Sequence, residues 1–271
     1  MTRESLIEII KRKQSLLCVG LDTDLEKIPG FLKQNFDNPV LEFNRRIIKA
    51  TADIAVAFKI NTAFYESQGE EGWKNLIETI KLIPEDILII ADAKRADIGN
   101  TSKMYAKAFF EKMNADAVTV APYMGMDSVK PFLEYKNKWI IILALTSNIG
   151  SKDFQYLPVD RAGTKLYEKV LETSSSWGNI NNTMFVVGAT HPEDFKSIRQ
   201  IVPQHFLLVP GIGAQGGDLQ QVLKHGLISD YGLLINSSRG IIYASNGEDF
   251  DSAARKKALE LIYKIRKIIK F

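Results

Sequence analysis

Short runs of Ile, Val and Leu recur along the chain, and polar or turn-forming residues bound each run. Runs of this kind are typical of strands that are buried on both faces, as in parallel sheets. The pattern predicts eight strands, at residues 15–22, 54–61, 87–94, 117–123, 139–145, 184–189, 206–212 and 232–237.

Segments with helical spacing of apolar residues lie between successive predicted strands, most clearly at residues 39–52, 69–82, 101–113 and 166–174. Alternation of strand and helix favours a parallel sheet with right-handed crossovers, and eight repeats suit a closed barrel better than an open doubly wound sheet. We therefore expect an α/β fold of the (β/α)8 TIM-barrel type. No linker rich in Pro, Gly or Ser divides the chain, so residues 1–271 are expected to form a single domain.

The composition is that of an ordinary globular protein, with 45% hydrophobic and 25% charged residues. The net charge of +3 is spread along the chain without a basic block, which argues against a nucleic-acid partner. The N-terminal segment lacks the features of a signal peptide, and no stretch reaches the ~20 apolar residues of a membrane span. We expect a cytoplasmic protein without a membrane partner, in which the single cysteine, Cys18, is a buried thiol.

The C-terminal segment, residues 252–271, is basic and amphipathic. We expect it to be the last barrel helix, with Lys and Arg stems lying over the core. Contact with a membrane or a partner is the alternative that the pattern leaves open.

Polar side chains collect at the carboxyl ends of the predicted strands, which is where barrel enzymes place their active sites. They are Asp22, Lys59, Asn61, Asp92, Lys94, Thr146, Ser147 and residues 211–215 and 237–239.

The densest group of charges follows the third apolar run. Side chains two residues apart share a face of a strand, so Asp92 and Lys94 should point together into the barrel mouth, with Asp97 just past the strand end. Lys59 is expected at the same height on the preceding strand, about 5 Å away. Such an array would keep Lys94 protonated and present a carboxylate that repels an anionic group of a substrate. A buried ion pair that only holds the rim together is the structural alternative.

A glycine-rich segment, residues 209–218, directly follows the seventh predicted strand. Closely spaced glycines let backbone N–H groups approach a phosphate, and many barrels bind phosphate with the loops after strands seven and eight. Arg239, after the eighth run, adds a guanidinium suited to phosphate oxygens. Together these features predict a phosphorylated substrate.

Metal and nucleophile chemistry have weaker support in the sequence. The three histidines, His191, His205 and His225, lack the spacing of metal ligands, so we expect a metal-free site. No Gly-x-Ser-x-Gly motif supports a serine nucleophile.

Residues 92–101, Asp-Ala-Lys-Arg-Ala-Asp-Ile-Gly-Asn-Thr, resemble the signature of the orotidine 5'-phosphate decarboxylase family. Further matching segments appear in the family's order, at residues 19–22, 58–61, 146–148, 210–217 and 238–240, so the resemblance covers nearly the whole chain. The longer loops are similar to those of the bacterial subgroup. Small departures are Ala96 for Gly, Thr23 for Pro and Ile149 for Pro, the last within a candidate lid at residues 146–164.

The resemblance implies decarboxylation of orotidine 5'-phosphate to UMP, the last step of de novo pyrimidine synthesis, without cofactor or metal. Lys94 would protonate C6, Asp92 would crowd the leaving carboxylate, and Lys59 would complete the charge array. Asp97 and Thr101 would reach the active site of a partner subunit, which implies a homodimer.

The resemblance also implies contacts to each part of the substrate. Asp22 would bind the ribose, Ser147 the pyrimidine, and Gln215 and Arg239 the phosphate. The full set of implied substrate contacts is Asp22, Asn61, Thr101, Thr146, Ser147, Pro210, Gly213, Gln215, Arg239 and Gly240.

Two other functions stay open. Related barrel enzymes that act on sugar phosphates, such as hexulose-phosphate synthases and ketogulonate-phosphate decarboxylases, share the Asp-x-Lys-x-x-Asp pattern but look metal-dependent, with an acidic residue near the position of Lys59. A non-catalytic nucleotide-binding barrel could keep the phosphate site. The intact set of charges from Lys59 to Asp97 argues against it.

Overall fold

The computed structural model describes residues 1–212 and 217–271 and forms a closed barrel of eight parallel strands in sequence order. The barrel closes where the last strand pairs with the first, with Cys18 opposite Asn236. The strands are β1 Leu17–Gly20, β2 Ala57–Asn61, β3 Leu88–Arg95, β4 Ala117–Val120, β5 Trp139–Leu145, β6 Thr183–Val187, β7 Phe206–Val209 and β8 Leu233–Ser237. The predicted (β/α)8 barrel is confirmed.

Several predicted strands end too late in the sequence. The seventh was expected over residues 206–212, but β7 ends at Val209 because Pro210 has no N–H to donate to the ladder. The fourth was expected to reach residue 123, but β4 ends at Val120, two residues before Pro122. Apolar runs therefore located the strands, and a proline follows the ends of β4 and β7.

Helices connect the strands around the outside of the barrel. They are α1 Arg3–Lys13, α2 Gly30–Asn35, α3 Pro39–Thr51, α4 Ala63–Glu66, α5 Gly69–Lys81, α6 Gly99–Lys107, α7 Met126–Leu133, α8 Ser151–Phe154, α9 Leu166–Ser175, α10 Asp194–Ile201, α11 Leu219–Gly226, α12 Arg239–Ile242 and α13 Phe250–Arg266. None of the helices in the described part of the chain is long and apolar enough to cross a membrane.

Two helices differ from their predicted extent. The segment expected at residues 101–113 begins earlier, at Gly99, and its last turn, Ala108–Lys112, is π-helical, with Phe109 and Phe110 both buried. The C-terminal helix α13 buries residues at a spacing of three or four, from Phe250 to Ile265, against the barrel. It is therefore the last barrel helix, as predicted, although it ends before the C-terminus.

Basic residues lie at the amino ends of the strands, and we call Arg3, Arg199 and His205 the floor cluster. Arg3 and His205 are buried, and Arg199 is half-buried. Arg3 on α1 donates to the carbonyl oxygens of Ile180 and Gln204, at 2.9 Å each. The Arg199 guanidinium donates to four carbonyl groups, those of Val202, His205, Gly226 and Gly232. Most of the neutralisation here comes from backbone dipoles.

His205 lies among these cations with its ring against Phe185. Within the described residues neither ring nitrogen has a hydrogen-bond partner. Burial, together with the charges of Arg199 and Arg3, lowers the pKa of His205 to about 4. The imidazole is therefore neutral at physiological pH.

Candidate active site

A cavity of about 490 Å³ opens at the carboxyl ends of the strands. It collects most of the polar residues that the sequence placed there. The predicted site residues that line it are Asp22, Lys59, Asn61, Asp92, Lys94, Thr146, Ser147, Pro210 and Arg239. Apolar side chains from β5, β6 and β7 form another part of the wall, namely Leu143, Val186 and Leu208.

A row of alternating charges lies on one side of this cavity. The Lys59 ammonium is 2.9 Å from one carboxylate oxygen of Asp92, and the Lys94 ammonium is 2.6 Å from the other. Asp22 extends the row, with its carboxylate 3.4 Å from Lys59. The side chains of Lys59 and Asp92 are 6% and 10% exposed, whereas that of Lys94 is 48% exposed. Lys94 is thus the more accessible of the two cations in the row.

Opposite charges keep the buried members of the row ionised. Burial alone would lower the pKa of Lys59, but the carboxylates of Asp92 and Asp22 outweigh it and raise that pKa above its usual value. Burial alone would raise the pKa of Asp92, but Lys59 and Lys94 hold it well below the usual range. Asp92 therefore presents a permanent negative charge at physiological pH.

Lys94 reaches Asp92 by a different route from the one predicted. The strand register shifts between Ala91 and Arg95, and Lys94 has a left-handed backbone with φ of 46°. Simple alternation along a strand therefore does not explain why the two side chains meet. A left-handed lysine is strained, and strain of this kind is common at functional sites.

Lys59 also lies nearer the amino ends of the strands than predicted. Its register partner on β3 is Ile90, while Asn61 is the residue opposite Asp92. The ammonium still reaches Asp92 because the four-carbon stem of lysine spans the difference. Sequence reasoning placed the correct residues together but misjudged their heights.

Thr119 on β4 is a site residue that sequence reasoning missed. Its hydroxyl donates to Asp92 at 2.9 Å and accepts from the backbone N–H of Lys94, also at 2.9 Å. Thr119 is fully buried and fixes both the carboxylate and the strained lysine. The available signal was one hydroxyl in the otherwise apolar run Ala117–Val120.

Tyr243 holds the segment that carries Asp22. The phenol donates to the carbonyl oxygen of Asp22 at 2.9 Å and accepts from the N–H of Asp24 at 2.7 Å. Tyr243 directly follows α12, so it connects the element that begins with Arg239 to the end of β1.

The end of the cavity near β8 carries the guanidinium of Arg239, the first residue of α12. Gly20 permits this placement, since a Cβ there would lie 2.5 Å from the Cβ of Ser238. Gly240 follows Arg239 but does not line the cavity. Gly213 and Gln215, predicted to bind substrate, lie outside the described residues.

The candidate lid at residues 146–164 contains the short helix α8. An antiparallel β-bridge joins Pro158, within the lid, to Lys165, which directly follows the lid. Thr146 and Ser147 at its start line the cavity, and Gly188 lets β6 approach them closely, since a Cβ there would lie 2.7 Å from the Ser147 nitrogen. Asn148, which sequence reasoning did not select, lines the cavity as well.

Two predicted residues lie away from the cavity of their own chain. Asp97 and Thr101 are not among the residues that line it, and Thr101 is exposed. The Asp97 carboxylate accepts only a local hydrogen bond, from the N–H of Ile98 at 2.8 Å, among the bonds that the described residues make.

One group of side chains could in principle offer metal ligands. Candidate atoms of His191, Glu193 and Asp194 lie within 4.8 Å of one another, outside the residues that line the cavity. Asp194 already accepts a hydrogen bond from Tyr156 at 2.6 Å and lies 3.4 Å from the Lys165 ammonium. That ammonium would oppose a cation, so this group joins α9 to α10 through hydrogen bonds and an ion pair.

The sequence and the fold both match known proteins. The profile of the orotidine 5'-phosphate decarboxylase / HUMPS family matches residues 15–255. Orotidine 5'-phosphate decarboxylase of Bacteroides fragilis (strain YCH46) is 58% identical over 264 residues, with 96% of each chain covered.

Solved structures agree with the sequence comparison. Leishmania donovani OMP decarboxylase superposes with a TM-score of 0.84 at 39% identity, covering 99% of each chain. Leishmania donovani UMP synthase superposes with a TM-score of 0.86 at 41% identity, and the match covers 98% of this chain and 56% of that longer one. This chain therefore belongs to the orotidine 5'-phosphate decarboxylase / HUMPS family.

Proposed function

We propose that this protein converts orotidine 5'-phosphate to UMP and CO2 and thereby completes pyrimidine nucleotide synthesis. The observation that carries the proposal is the row Lys59–Asp92–Lys94 on the wall of the cavity, with Lys94 accessible. A relative 58% identical over nearly the whole chain bears the name of this activity.

In the proposed reaction the bond between C6 and the carboxylate breaks, and its electron pair stays on C6. The Lys94 ammonium donates a proton to C6, which gives UMP, and CO2 leaves. A carbanion on this ring has little delocalisation, so stabilisation must come from nearby charge. One charge contact near 4 Å contributes about 4 kcal/mol at an effective dielectric of 20, about three decades in rate.

Asp92 acts on the substrate carboxylate. Its own charge is fixed by Lys59 and Lys94, so it cannot relieve repulsion by taking up a proton at physiological pH. Repulsion between the two carboxylates is lost as neutral CO2 forms, whereas the attraction between Lys94 and the growing charge on C6 increases. Both changes favour the transition state over bound substrate.

The remaining predicted contacts divide among the parts of the substrate. We assign the ribose to Asp22, Lys59 and Asn61, and the pyrimidine to Thr146 and Ser147. We assign the phosphate to a set at the ends of β7 and β8, which comprises Pro210, Gly213, Gln215, Arg239 and Gly240. Arg239 supports this assignment because it lines the cavity directly after β8.

We further propose a homodimer in which Asp97 and Thr101 of one protomer complete the cavity of its partner. Both residues lie outside their own cavity lining. Apolar side chains are exposed around them, on the neighbouring loop before α7 and at the first residue of α7, namely Ile98, Met104, Tyr123, Met124 and Met126. Exposed apolar side chains concentrated on one face are typical of protein interfaces.

The chain is proposed to act as one domain in the cytoplasm. Pairing of β1 with β8 makes the first and last strands parts of one barrel, which supports a single domain over residues 1–271. The cytoplasmic location is inferred from the phosphorylated nucleotide substrate.

The ultraviolet absorbance of orotidine 5'-phosphate, followed after addition of purified protein in EDTA, tests the proposed function. We expect rapid conversion to UMP, unchanged when Mg²⁺ replaces EDTA. Turnover only with Mg²⁺ would favour a metal-dependent enzyme of the sugar-phosphate type. UMP binding without turnover in either condition would favour a non-catalytic barrel.

A further inference from the structure

The segment after β5 contains a chain of hydrogen bonds whose direction can be deduced. The backbone N–H of Thr146 donates to Oε1 of Gln155 at 2.8 Å, and Nε2 of Gln155 donates to the Thr146 hydroxyl at 2.8 Å. A backbone N–H can only donate, so the orientation of the Gln155 amide is settled by its first contact.

The Thr146 hydroxyl also determines the orientation of the Asn148 amide. Its oxygen accepts from Gln155, and it lies 2.6 Å from Oδ1 of Asn148. That distance suits O–H···O and is short for N–H···O, so the threonine hydroxyl is the donor. The amide oxygen of Asn148 is thereby engaged, and its Nδ2 keeps both N–H groups available.

The surroundings leave Nδ2 of Asn148 open. Within the described residues no protein acceptor is recorded for it, and Asn148 lines the cavity. A Cβ at position 150 would lie 3.2 Å from Nδ2, and the residue there is Gly150. An oriented, unobstructed donor is therefore available at the cavity wall.

The strand order indicates which part of a substrate meets this donor. In the closed ring, β5 is four strands from β1, which ends beside Asp22, and three from β8, which precedes Arg239. A nucleotide with ribose at Asp22 and phosphate at Arg239 must extend its base across the mouth. Leu143, Val186 and Leu208, on β5 to β7, provide an apolar surface for a flat ring.

We propose that Asn148 is a specificity-determining residue whose Nδ2 donates to an exocyclic carbonyl oxygen of the pyrimidine, and that Gln155 is a positioning residue that fixes this amide through Thr146. The inference rests on the proposed function and deepens it. A donor held in place rejects a ligand that lacks the matching acceptor.

Rigid elements support Gln155. Its carbonyl oxygen accepts from the N–H of Tyr167 on α9 at 2.9 Å. The adjacent Tyr156 donates to Asp194 on α10 at 2.6 Å. The relay is therefore held by two barrel helices and does not depend on the loop alone.

The test compares the dissociation constants of UMP and ribose 5-phosphate, measured by calorimetry, for wild type and the variants Asn148→Asp and Gln155→Glu. Aspartate keeps the acceptor for Thr146, replaces the donor Nδ2 by a carboxylate oxygen and adds a negative charge, and ribose 5-phosphate reports the effect of that charge on the phosphate. UMP affinity should fall about tenfold or more while ribose 5-phosphate binding is unchanged. Glutamate at 155 keeps the acceptor for the Thr146 N–H but draws the hydroxyl hydrogen away from Asn148. UMP affinity should then fall about threefold to fivefold.

A parallel titration with CMP locates the contact. If Asn148→Asp loses affinity for UMP but not for CMP, the acceptor is the oxygen at position 4, and equal losses indicate position 2. Both outcomes support the donor role.

Unchanged UMP affinity in Asn148→Asp would overturn the inference, and so would an equal loss of ribose 5-phosphate binding, which would indicate a general disturbance of the cavity. Wild-type turnover of orotidine 5'-phosphate is measured on the same preparation. Absence of that turnover would instead overturn the proposed function on which the inference rests.

Discussion

At the carboxyl ends of the strands, Lys59 and Lys94 lie against the carboxylate of Asp92, whereas at the amino ends Arg3 and Arg199 lie mostly against carbonyl groups. Both ends bury cations inside one barrel. At the mouth, ammonium and carboxylate groups pair with one another on the wall of a cavity. Removal of one of these groups therefore leaves the charge of its partner uncompensated. At the floor, Arg199 donates to four backbone carbonyl groups, and Arg3 donates to two carbonyl groups and lies 3.4 Å from the carboxylate of Asp230.

This difference separates function from stability in one fold. Ion pairs that line a cavity can interact with a bound ligand. Arginines that are hydrogen-bonded to backbone carbonyl groups instead stabilise the fold. We therefore expect substitutions at the mouth to change turnover and substitutions at the floor to change the free energy of unfolding.

The largest effect is expected at the mouth, for Lys94→Ala. Loss of the proton donor and of its charge should lower kcat by about 10⁵-fold, about 7 kcal/mol of transition-state stabilisation. UMP should still bind, and the thermal midpoint should change little, because the Lys94 side chain is 48% exposed. Lys196→Ala, on the exposed face of α10, is the matched control. Turnover within tenfold of wild type would remove Lys94 from the role of proton donor.

Arg199→Met should give the largest effect at the floor. It leaves four carbonyl groups without their donor and should destabilise the fold by about 3–5 kcal/mol, measured by urea unfolding. The kcat of the remaining folded enzyme should be unchanged. Arg12→Met, which breaks an exposed pair with Asp86, is the control and should cost less than about 1 kcal/mol. A loss of kcat in folded Arg199→Met would contradict the separation of the two ends.

The pH dependence of stability should come partly from His205. Its pKa in the folded protein is about 4, below the ordinary value of 6.5, so the unfolded chain takes up a proton first as the pH falls. This contribution to stability is complete above pH 6.5 and is lost between pH 6.5 and 4, by about 3 kcal/mol. His205→Phe should remove that part of the slope, because neither nitrogen has a hydrogen bond to lose in the described structure. Parallel unfolding curves at pH 7 and pH 4.5 measure the difference, and an unchanged slope would show that His205 does not contribute.

The smallest effect is expected for Tyr243→Phe. Removal of the hydroxyl frees the carbonyl group of Asp22 and the N–H of Asp24 while leaving the ring in place. We expect kcat/KM to fall about fivefold to tenfold, with a loss of stability of about 1 kcal/mol. Tyr263→Phe, on an exposed part of α13, is the control. An equal change in both variants would exclude a positioning role for Tyr243.

The sequence predicted the architecture because the signal for a parallel barrel is repeated at every strand. Eight apolar runs and their order were sufficient, whereas the ends of β4 and β7 required attention to Pro122 and Pro210. Local pattern is a weak guide to strand ends, since one missing N–H can stop a ladder.

The site was predicted residue by residue but not in its geometry. Lys59, Asp92 and Lys94 were placed together, yet their contacts depend on a left-handed lysine and a register shift that no periodicity reveals. Thr119, Asn148 and Gln155 gave little signal because single polar residues are common in strands and loops. The floor cluster was not foreseen either, since Arg3 and Arg199 are far apart in sequence and meet only through the closed barrel.

Arg3, near the start of the chain, is hydrogen-bonded to residues that the ribosome adds much later. Its acceptors at Ile180 and Gln204 emerge long after α1, and the ladder between β1 and β8 waits for residues near 235. The contacts of the start of the first helix are therefore completed late in synthesis, and its apolar face includes Leu6, Ile9 and Ile10. Closure of such distant contacts is slow, so nascent chains that stall before β8 should be the species that depend on chaperones.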